Sequence, residues 1–409
     1  MKIATVKGTN DYLPKEAAMR DYLQSVILET YRASGFQRIM TPAIEDAENL
    51  DKSEGGENLN LIFKILKRGE KLDKALEEGK YNELSDMGLR YDLTLPLTRY
   101  YAANKDKLIL PMKCIQIDKV YRAERPQKGR LREFVQCDID ILGTSSCYAE
   151  VELIDVTARA LMAIGIGEFR IRVNDRRILK NVLSNLGFAA EELDSVCITF
   201  DKLDKVGVEG VKAELTEKGF AAESIEKLAD MLANMPFTLE SIRPYCTDEE
   251  TLANLTAIMD TVKQIAGGKY EIVFDISLVR GQGYYTGTIF EAESTKFRGA
   301  IGGGGRYDNL IGKFLNESVP AVGFSICFER IFSILMESGM EIPDARKRIA
   351  LLYDPQEFQS VYAKAEELRK EYDVALFERP KKTGKFLNRL EEQGYHGFLM
   401  AGKDEISWF

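Results

Sequence analysis

The chain has 409 residues, of which 45% are hydrophobic and 30% charged, and its formal net charge at pH 7 is −9. This length exceeds the usual size of one domain, so we expect two or three units with separate cores. The sequence lacks both a run of about eighteen apolar residues and an apolar N-terminal segment, so neither a membrane span nor a secretory signal is predicted, and any contact with nucleic acid has to use a local basic patch.

The first 175 residues combine helical and strand patterns. Apolar residues recur at helical spacing in some segments and alternate with polar residues in others. In chain order, these patterns predict an amphipathic helix over 15–34, an extended run from Phe36 to Ile44 around Pro42, two antiparallel strands within 111–142, a helix over 150–164, and a strand over Phe169–Val173 that leads into a helix from Asp175.

The rest of the chain predicts two further regions. From about residue 188 to 265, leucines and charges recur at helical spacing, so we interpret about 180–265 as a helical insertion within a core domain of residues 1–335. The charged stretch Glu337–Arg348 then marks a linker, and the alternation after it predicts a small α/β domain over 346–409. The predicted segments are strands at 270–279 and 284–292, a strand and helix near 319–335, strands at 348–353, 373–377 and 396–401, and helices at 356–371 and 383–393.

The most informative segment is the predicted hairpin from Tyr121 to Asp140. Its density of basic residues indicates an anion such as a polyphosphate. In a strand alternate residues share a face. One face of the second predicted strand therefore carries cations, an aromatic ring, an amide and carboxylates, and the other face carries apolar residues typical of a core. The first face could hold phosphates, an adenine and an amine in turn, whereas the alternative interpretation is a solvated hairpin face with cross-strand ion pairs. The basic residues are Arg122, Arg125, Lys128, Arg130 and Arg132; the first face carries Arg130, Arg132, Phe134, Gln136, Asp138 and Asp140; and the second carries Leu131, Val135, Cys137, Ile139 and Ile141.

Three further segments are weaker signals when each is taken alone. Leu278–Glu291 contains glycines whose spacing does not match the dinucleotide-binding fingerprint, which leaves Arg280 and two tyrosines that enter a strand. The glycines of Gly302–Gly305 let a ligand approach the backbone closely, and the alternative is a flexible loop. Pro320–Ile331 predicts a strand of small residues that feeds a helix with Arg330 in its first turns.

Cysteine and histidine usage narrows the chemistry. His396 is the only histidine, so serine–histidine triads and histidine-ligated metal sites are excluded from the first 395 residues, and no metal ligand is predicted. The cysteines are scattered without a C-x-x-C pair, which fits a reducing cytoplasm and predicts neither a disulfide framework nor a zinc site. They are Cys114, Cys137, Cys147, Cys197, Cys246 and Cys327.

In this order, the segments resemble the histidyl-tRNA synthetase family over nearly the whole chain. The resemblance implies an α+β fold, in which a class II synthetase antiparallel sheet is flanked by helices, with the helical insertion and a shortened anticodon-binding-like α/β domain. Lys7–Pro14 resembles the family's opening, Gly35–Glu45 class II motif 1, Arg122–Arg130 motif 2 in its histidine-specific form, Arg280–Tyr285 and Ile301–Asp308 the two histidine-family signatures, and Gly323–Arg330 motif 3.

The resemblance also implies two substrate sites and a catalytic pair. Arg280 and Arg122 would be the catalytic residues at the reacting carboxylate and the α-phosphate of ATP. The ATP-binding residues would be Arg122 at the α-phosphate, Glu124 at the adenine amine, Phe134 stacked on the adenine, and Arg130 and Arg330 on the γ-phosphate side. The histidine-binding residues would be Asp92, Thr94 and Gln136 at the amino group and Asp140, Tyr285 and Tyr307 at the imidazole.

The implied activity is that of a cytoplasmic histidine–tRNA ligase. It would use ATP with Mg²⁺ to activate L-histidine, transfer the histidyl group to tRNA(His), and act as a homodimer. No protein nucleophile is needed, which suits a chain with a single histidine. Three departures from the family pattern are Cys327 where a glycine is usual, Gly283 where many relatives have aspartate, and a short C-terminal domain that ends at Phe409.

Two alternatives remain at this point. The first is a catalytically inactive paralogue that serves as regulatory subunit of ATP phosphoribosyltransferase; such proteins tend to lose the arginines that Arg122, Arg130, Arg280 and Arg330 represent here. The second is another class II synthetase, against which the Arg-Pro-Gln-Lys-Gly loop argues.

Overall fold

The computed structural model describes residues 3–52, 58–127, 129–200, 202–234, 238–279, 284–296, 299–315 and 317–409, with only the backbone at 58, 59, 204 and 234. The chain divides into two compact units. The large unit comprises the residues up to Asn10 together with Leu23–Ser338, and the small unit comprises Asp11–Tyr22 together with Gly339–Phe409.

Helices match the predicted segments at 15–34, 150–164, 356–371 and 383–393, whereas the helices at 47–50, 70–77, 94–104 and 312–315 were not predicted. Their bounds are α1 Pro14–Ala33, α2 Ala47–Leu50, α3 Glu70–Glu77, α4 Thr94–Asn104, α5 Tyr148–Ala163, α6 Arg176–Asn185, α7 Leu193–Phe200, α8 Leu203–Glu217, α9 Ala222–Asn234, α10 Leu239–Ile242, α11 Glu249–Ala266, α12 Gly312–Leu315, α13 Phe328–Glu337, α14 Phe358–Leu368 and α15 Thr383–Glu392. Short 3-10 turns lie at Asn58–Leu61, Tyr81–Glu83, Lys105–Lys107, Arg243–Tyr245 and Pro355–Glu357.

The strands form three sheets. Their bounds are β1 Gln37–Arg38, β2 Ile44–Asp46, β3 Lys64–Leu66, β4 Ser85–Leu89, β5 Met112–Tyr121, β6 Glu133–Leu142, β7 Phe169–Asp175, β8 Glu271–Phe274, β9 Thr288–Ser294, β10 Ala300–Arg306, β11 Ala321–Cys327, β12 Arg348–Tyr353, β13 Asp373–Glu378, β14 Gly397–Met400 and β15 Ser407–Trp408.

The main sheet of the large unit has eight strands in the order β1-β5-β6-β11-β10-β9-β7-β8. The six strands from β5 to β7 in this order pair antiparallel, as predicted. The outer strands β1 and β8 run parallel to their neighbours, so the sheet is mixed and the prediction of an antiparallel sheet holds only for its centre. A smaller sheet, ordered β2-β4-β3, completes the strands of this unit.

The glycine run lies inside this sheet, so its interpretation as a flexible loop is wrong. Gly302–Gly305 form the middle of β10, where they pair with both β9 and β11 and are buried. A methyl group at Gly304 would approach the carbonyl oxygen of Gly323 to 1.9 Å. Glycine therefore allows two neighbouring strands to lie closer here than side chains would permit.

The described residues between β7 and β8 fold as helices, which agrees with the helical pattern of that segment. Asp175 starts α6 by accepting a hydrogen bond from the Arg177 amide at 2.9 Å, and Asp248 starts α11 by accepting one from Thr251 at 3.0 Å. Both are N-caps, which satisfy amide groups that have no partner within the helix. Gly267 ends α11 in a left-handed conformation with φ of 55°, a usual helix end.

The small unit contains a four-stranded sheet, ordered β13-β12-β14-β15, in which β12 is parallel to both β13 and β14. Its two faces carry separate apolar clusters. Leu352 and Leu390 belong to the cluster beside α15, and Leu351 and Val361 to the cluster beside α14. Alternate residues of β12 thus face opposite helices, and the predicted small α/β fold is confirmed.

Within the described ranges, no helix combines the length and apolar character that crossing a membrane requires.

Candidate active site

An open cavity lies in the large unit on the main sheet. Residues of β6, β10, β11 and α13 line it, together with the segment between β5 and β6, the start of α4 and the segment that precedes β9. Its lining residues are Asp92, Thr94, Arg122, Glu124, Gly129, Arg130, Leu131, Phe134, Gln136, Asp138, Asp140, Tyr284, Tyr285, Gly303, Gly304, Tyr307, Gly323, Phe324, Ser325, Ile326, Cys327, Phe328, Glu329 and Arg330.

Strand β6 forms the floor of the cavity with alternate side chains. Phe134, Gln136, Asp138 and Asp140 line the cavity. The residues between them are buried in the core of the unit: Val135, Cys137, Ile139 and Ile141. The two predicted faces of this strand are therefore confirmed from residue 134 to 141.

The predicted alternation is wrong before the strand begins. Arg132 turns away from the cavity and donates from Nε to the carbonyl oxygen of Glu124 at 3.1 Å, whereas Leu131 lines the cavity. The reason is that β6 starts only at Glu133, and the preceding backbone forms an isolated bridge between Gln127 and Arg130. A period of two residues applies only to extended backbone.

One end of the cavity is built from tyrosines and a carboxylate. The Tyr307 hydroxyl donates to Oδ1 of Asp140 at 2.6 Å. The ring of Tyr284 packs edge-on against Tyr285 and Tyr307, with centroid distances of 5.0 Å and 6.0 Å. Opposite Asp140, Gly323 leaves room for the carboxylate, because a methyl group there would lie 1.9 Å from Oδ1.

The segment before α4 supplies the next group of polar atoms. Asp92 accepts a hydrogen bond from the Leu95 amide at 3.1 Å through Oδ1. Gln116 of β5 holds the segment by donating to the Leu93 carbonyl oxygen at 2.9 Å. The buried Arg90 donates to the carbonyl oxygens of Thr41 at 2.6 Å and Lys119 at 2.9 Å. These bonds fix Asp92 and Thr94 relative to the sheet.

Arginines line the opposite end of the cavity. The guanidinium of Arg122 lies 5.0 Å from the centre of the Phe134 ring, and its Nε donates to the Tyr91 carbonyl oxygen at 3.0 Å. Arg130 pairs with Glu124 at 3.2 Å while its side chain stays 53% exposed. Arg330 donates to the Ala300 carbonyl oxygen. This end combines cations with an aromatic face, which suits a nucleotide.

Burial shifts the acidity of three carboxyl groups in the cavity. It raises the pKa of Asp140 to about 7, against the lowering effect of the Tyr307 hydrogen bond. Burial and the neighbouring Asp140 raise the pKa of Asp138 well above its ordinary value. The pKa of Asp92 is raised by burial as well. Such groups favour a ligand that brings donors or positive charge.

The structure brings together eleven of the twelve residues that the resemblance assigned to substrate binding or catalysis. Each of the eleven lines this cavity, and Arg280 lies outside the described residues, as do Lys128 and Gly283. Cys327 also lines the cavity. The residues are Asp92, Thr94, Arg122, Glu124, Arg130, Phe134, Gln136, Asp140, Tyr285, Tyr307 and Arg330.

Comparison with known proteins identifies the family of this chain. A sequence profile described as histidyl-tRNA synthetase matches residues 8–331. The chain belongs to the histidyl-tRNA synthetase family. A histidine–tRNA ligase of Leifsonia xyli subsp. xyli (strain CTCB07) is 41% identical, with 98% of this chain and 96% of that protein covered. A histidine–tRNA ligase of Christiangramia forsetii is 33% identical, with 98% and 92% covered.

Solved structures agree with this membership of the histidyl-tRNA synthetase family. Histidyl-tRNA synthetase from Nostoc sp. PCC 7120 has a TM-score of 0.80 at 26% identity, with 99% of this chain and 93% of that chain covered. A structure described as an ATP phosphoribosyltransferase regulatory subunit/histidyl-tRNA synthetase from Bacillus halodurans C also has a TM-score of 0.80. Its identity is 19%, so this second likeness concerns the fold alone.

The sequence predicted no functional role for several residues that line the cavity. Asp138 could have been found, because it lies between Gln136 and Asp140 on the same face of β6. Glu329 gave no signal, since its partner, the Val135 amide at 3.1 Å, is distant in sequence. Ser325 accepts a hydrogen bond from Gln136 Nε2 at 3.2 Å across the β6–β11 pair, which also depends on the fold.

Proposed function

We propose that this chain is a histidine–tRNA ligase that forms histidyl-adenylate from L-histidine and ATP and transfers the histidyl group to the 3′ end of tRNA(His). The observation that most strongly supports this proposal is a single cavity with two different ends. Arginines surround an aromatic ring at one end, and buried carboxylates lie with tyrosines at the other. A nucleotide suits the first end, and an amino acid with a polar ring suits the second.

ATP would occupy the arginine end. Arg122 holds the α-phosphate, and Phe134, against which the guanidinium already packs, stacks on the adenine. Glu124 accepts from the adenine amine, in place of its present pair with Arg130. Arg130 and Arg330 then contact the γ-phosphate side, and Arg330 also covers the base.

Histidine would occupy the carboxylate end. Asp92, Thr94 and Gln136 bind its amino group, and Asp140, Tyr285 and Tyr307 bind its imidazole. Asp140 and Tyr307 already share a hydrogen bond of 2.6 Å, so the ring meets a pair that is held in place. Preorganised polar groups of this kind reject analogues that leave them unpaired.

The chemistry would proceed in two transfers. A carboxylate oxygen of histidine attacks the α-phosphorus of ATP, the bond to the β-phosphate oxygen breaks, and pyrophosphate leaves. The 3′-terminal hydroxyl of tRNA then attacks the adenylate carbonyl carbon, and AMP leaves with the bonding electrons. Arg122, with Arg280, stabilises the charge that develops at the α-phosphate, so positioning and electrostatics supply the catalysis.

No protein nucleophile takes part in either transfer. The one histidine, His396, is in the small unit, where its Nδ1 accepts a hydrogen bond from the Arg348 amide at 3.1 Å. It serves the fold there.

Magnesium would enter with the nucleotide. Among the described residues, no three His, Cys, Asp or Glu side chains group as a metal site. Mg²⁺ commonly binds through substrate phosphates and one or two carboxylates, so ATP would carry it into the site. When bound, it neutralises phosphate charge.

The remaining proposals concern assembly and tRNA. The core domain of residues 1–335, with its insertion at about 180–265, would carry the two transfers, and residues 346–409 form the domain that resembles the family's anticodon-binding domain. We assign a homodimer on the resemblance of Gly35–Glu45 to class II motif 1, and a cytoplasmic location on six free thiols.

The regulatory-paralogue alternative is not favoured. The relatives with 41% and 33% identity over nearly the whole chain are histidine–tRNA ligases. Arg122, Arg130 and Arg330, which an inactive paralogue tends to lose, all line the cavity.

The test is histidine-dependent ATP–pyrophosphate exchange on the purified chain, followed by charging of tRNA. Exchange with histidine and with none of the other nineteen amino acids is expected. Folded protein that shows no exchange would overturn the proposal and favour the regulatory paralogue, and exchange with a different amino acid would favour another class II synthetase.

A further inference from the structure

Three buried oxygens in the cavity accept no hydrogen bond from any residue that the structure describes. They are Oδ2 of Asp92, Oε1 of Gln136 and Oδ1 of Asp138. Asp92 and Asp138 are 2% and 5% exposed, so water does not replace the missing donors freely. Buried acceptors without donors cost free energy, and a ligand that supplies N–H groups would remove that cost.

The partners of the same side chains show which atoms remain for a ligand. Asp92 uses Oδ1 to accept from the Leu95 amide at 3.1 Å. Gln136 donates through Nε2 to the Ser325 hydroxyl at 3.2 Å, which leaves Oε1. Asp138 pairs in register with Gln116 on one side and Ser325 on the other, and the Ser325 hydroxyl is a hydrogen-bond partner of its carboxyl group, which leaves Oδ1.

This set of atoms matches one chemical group in particular. Two carboxylate oxygens and one amide oxygen accept hydrogen bonds and donate none. An ammonium group donates three and carries the positive charge that two buried carboxylates need. The side chain of Arg122 acts electrostatically on both carboxylates, yet its Nε is bonded to the Tyr91 carbonyl oxygen.

The imidazole is a poorer match for Asp138. The ring end of the cavity is marked by Asp140, which already receives the Tyr307 hydroxyl, and by the packed rings of Tyr284 and Tyr285. Tyr284 and Tyr307 belong to an apolar cluster with Leu97 and Cys114, and apolar surroundings suit the faces of an imidazole ring. Asp138 lies midway between Gln136 and Asp140 on this face of β6. Because Asp140 already accepts from Tyr307 whereas Oε1 of Gln136 has no donor among the described residues, the unpartnered oxygen of Asp138 groups with that of Gln136.

We propose that Asp138 is a specificity residue that binds the α-ammonium group of the amino acid substrate together with Asp92 and Gln136. This inference rests on the proposed function and assigns the three ammonium N–H groups to Asp92, Gln136 and Asp138, so that Thr94 lies beside the ammonium without accepting one of them. A ligand without the ammonium would leave three acceptors buried and unpaired, so Asp138 makes the site selective for α-amino acids.

The test is the Asp138→Asn variant, which keeps the size of the side chain and removes its charge. Calorimetric titration measures the affinity for L-histidine and for 3-(1,2,4-triazol-3-yl)-L-alanine, which keeps the ammonium and changes the ring. Both affinities should fall by the same factor, roughly 10- to 100-fold, as expected for loss of a hydrogen bond to a charged group. The KM for ATP in wild-type and variant exchange assays should agree within about twofold.

Thermal stability supplies a readout that a merely structural role would not give. Because the buried carboxylate is removed, the Tm of Asp138→Asn should equal or exceed that of the wild type while histidine affinity falls. Glu133→Gln is the matched control, since it makes the same change at the start of β6, where Glu133 pairs with Lys119 at 2.8 Å outside the cavity. Its histidine affinity should not change.

Three outcomes would overturn the inference. Unchanged histidine affinity would remove Asp138 from the site, a larger loss for one ring than for the other would assign it to the ring, and a joint loss of ATP binding and Tm would make it structural. Asp138→Ala replaces the Asn variant if that protein does not fold, with the same expectations. A wild-type protein that binds no histidine would instead refute the proposed function itself.

Discussion

Asp140 is a carboxyl group with almost no access to water and one strong hydrogen bond. It is 3% exposed, accepts from the Tyr307 hydroxyl at 2.6 Å, and faces Gly323 across the β6–β11 pair. Its pKa is raised to about 7, mainly by burial, with a contribution from Asp92. The folded protein without ligand therefore holds a proton here at pH values where the unfolded chain has released it.

This shift predicts a specific dependence of stability on pH. Since the folded pKa lies above the ordinary carboxyl value, the stabilisation is fully present below about pH 4 and is lost as pH rises through about 7. Asp140→Asn removes the titrating group. Between pH 5 and pH 8, the wild type should lose more free energy of unfolding than the variant, by on the order of a few kcal/mol. Urea unfolding at both pH values without histidine measures the difference.

The control for this experiment is Glu133→Gln, which removes a partly exposed carboxylate from the same strand. Its stability should follow the wild type across the pH range. Asp92 and Asp138, whose pKa values are also raised, are present in all three proteins. Because Asp140 contributes to the raised pKa of Asp138, its removal also lowers that pKa, which reduces the pH dependence of the variant further in the expected direction. Parallel curves for wild type and Asp140→Asn would show that Asp140 is ionised throughout.

For single residues, the sequence predicts the orientation of a side chain where that orientation follows from local periodicity. Phe134, Gln136 and Asp140 were placed on one face because a strand repeats every two residues. Arg132 was misplaced, since the strand starts one residue after it. Glu329 was missed, because its bond to the Val135 amide joins elements far apart in sequence. Local pattern thus gives the face of a residue and not its long-range partner.

Among the elements, β10 departs most from what its composition suggests. Four consecutive glycines are typical of loops, yet β9 and β11 hold Gly302–Gly305 in the sheet. Glycine weakens a strand intrinsically, so the neighbours must supply the order. The glycines allow the backbones of neighbouring strands to approach closely. Gly303 and Gly304 also form part of the cavity surface. The sequence alone could not decide this, because the deciding contacts are tertiary.

Gly304→Ala should therefore destabilise the large unit. The added methyl group would lie 1.9 Å from the Gly323 carbonyl oxygen and 2.7 Å from the Phe290 ring, so strands must separate. We expect a loss of roughly 2 kcal/mol or more in the free energy of unfolding. Gly167→Ala is the control, since no atom lies within 4 Å of the added methyl group. Urea midpoints that agree between the two variants would contradict the close packing of β10.

The elements with strong periodicity were predicted within a few residues. The helix expected over 15–34 is α1, Pro14–Ala33, and the strand expected over 348–353 is β12, Arg348–Tyr353. Short elements without periodicity were not predicted, including α2 and β15. Two to four residues are too few to show a repeat, so such elements depend on their neighbours.

For the whole molecule, the division into two units suggests that two activities can be separated. The cavity is built by residues of the large unit alone. The small unit carries a basic turn between β13 and α15 with Arg379, Lys381 and Lys382, and Lys385 follows in the first turn of α15; all four side chains are exposed. In a chain with a net charge of −9, such a local cluster is what contact with tRNA phosphates would need.

Charge reversal in this turn should impair charging and leave activation intact. The double variant Lys381→Glu, Lys382→Glu should lower kcat/KM for tRNA by about tenfold or more at low salt, with a smaller effect at high salt, since phosphate contacts depend on ionic strength. Histidine-dependent ATP–pyrophosphate exchange should not change.

The control is the double variant Lys71→Glu, Lys74→Glu on the exposed face of α3, which makes the same change in net charge in the large unit and should spare both activities. If both double variants lower charging equally, only the overall charge matters; if the first abolishes exchange, the two activities are not separable in this way.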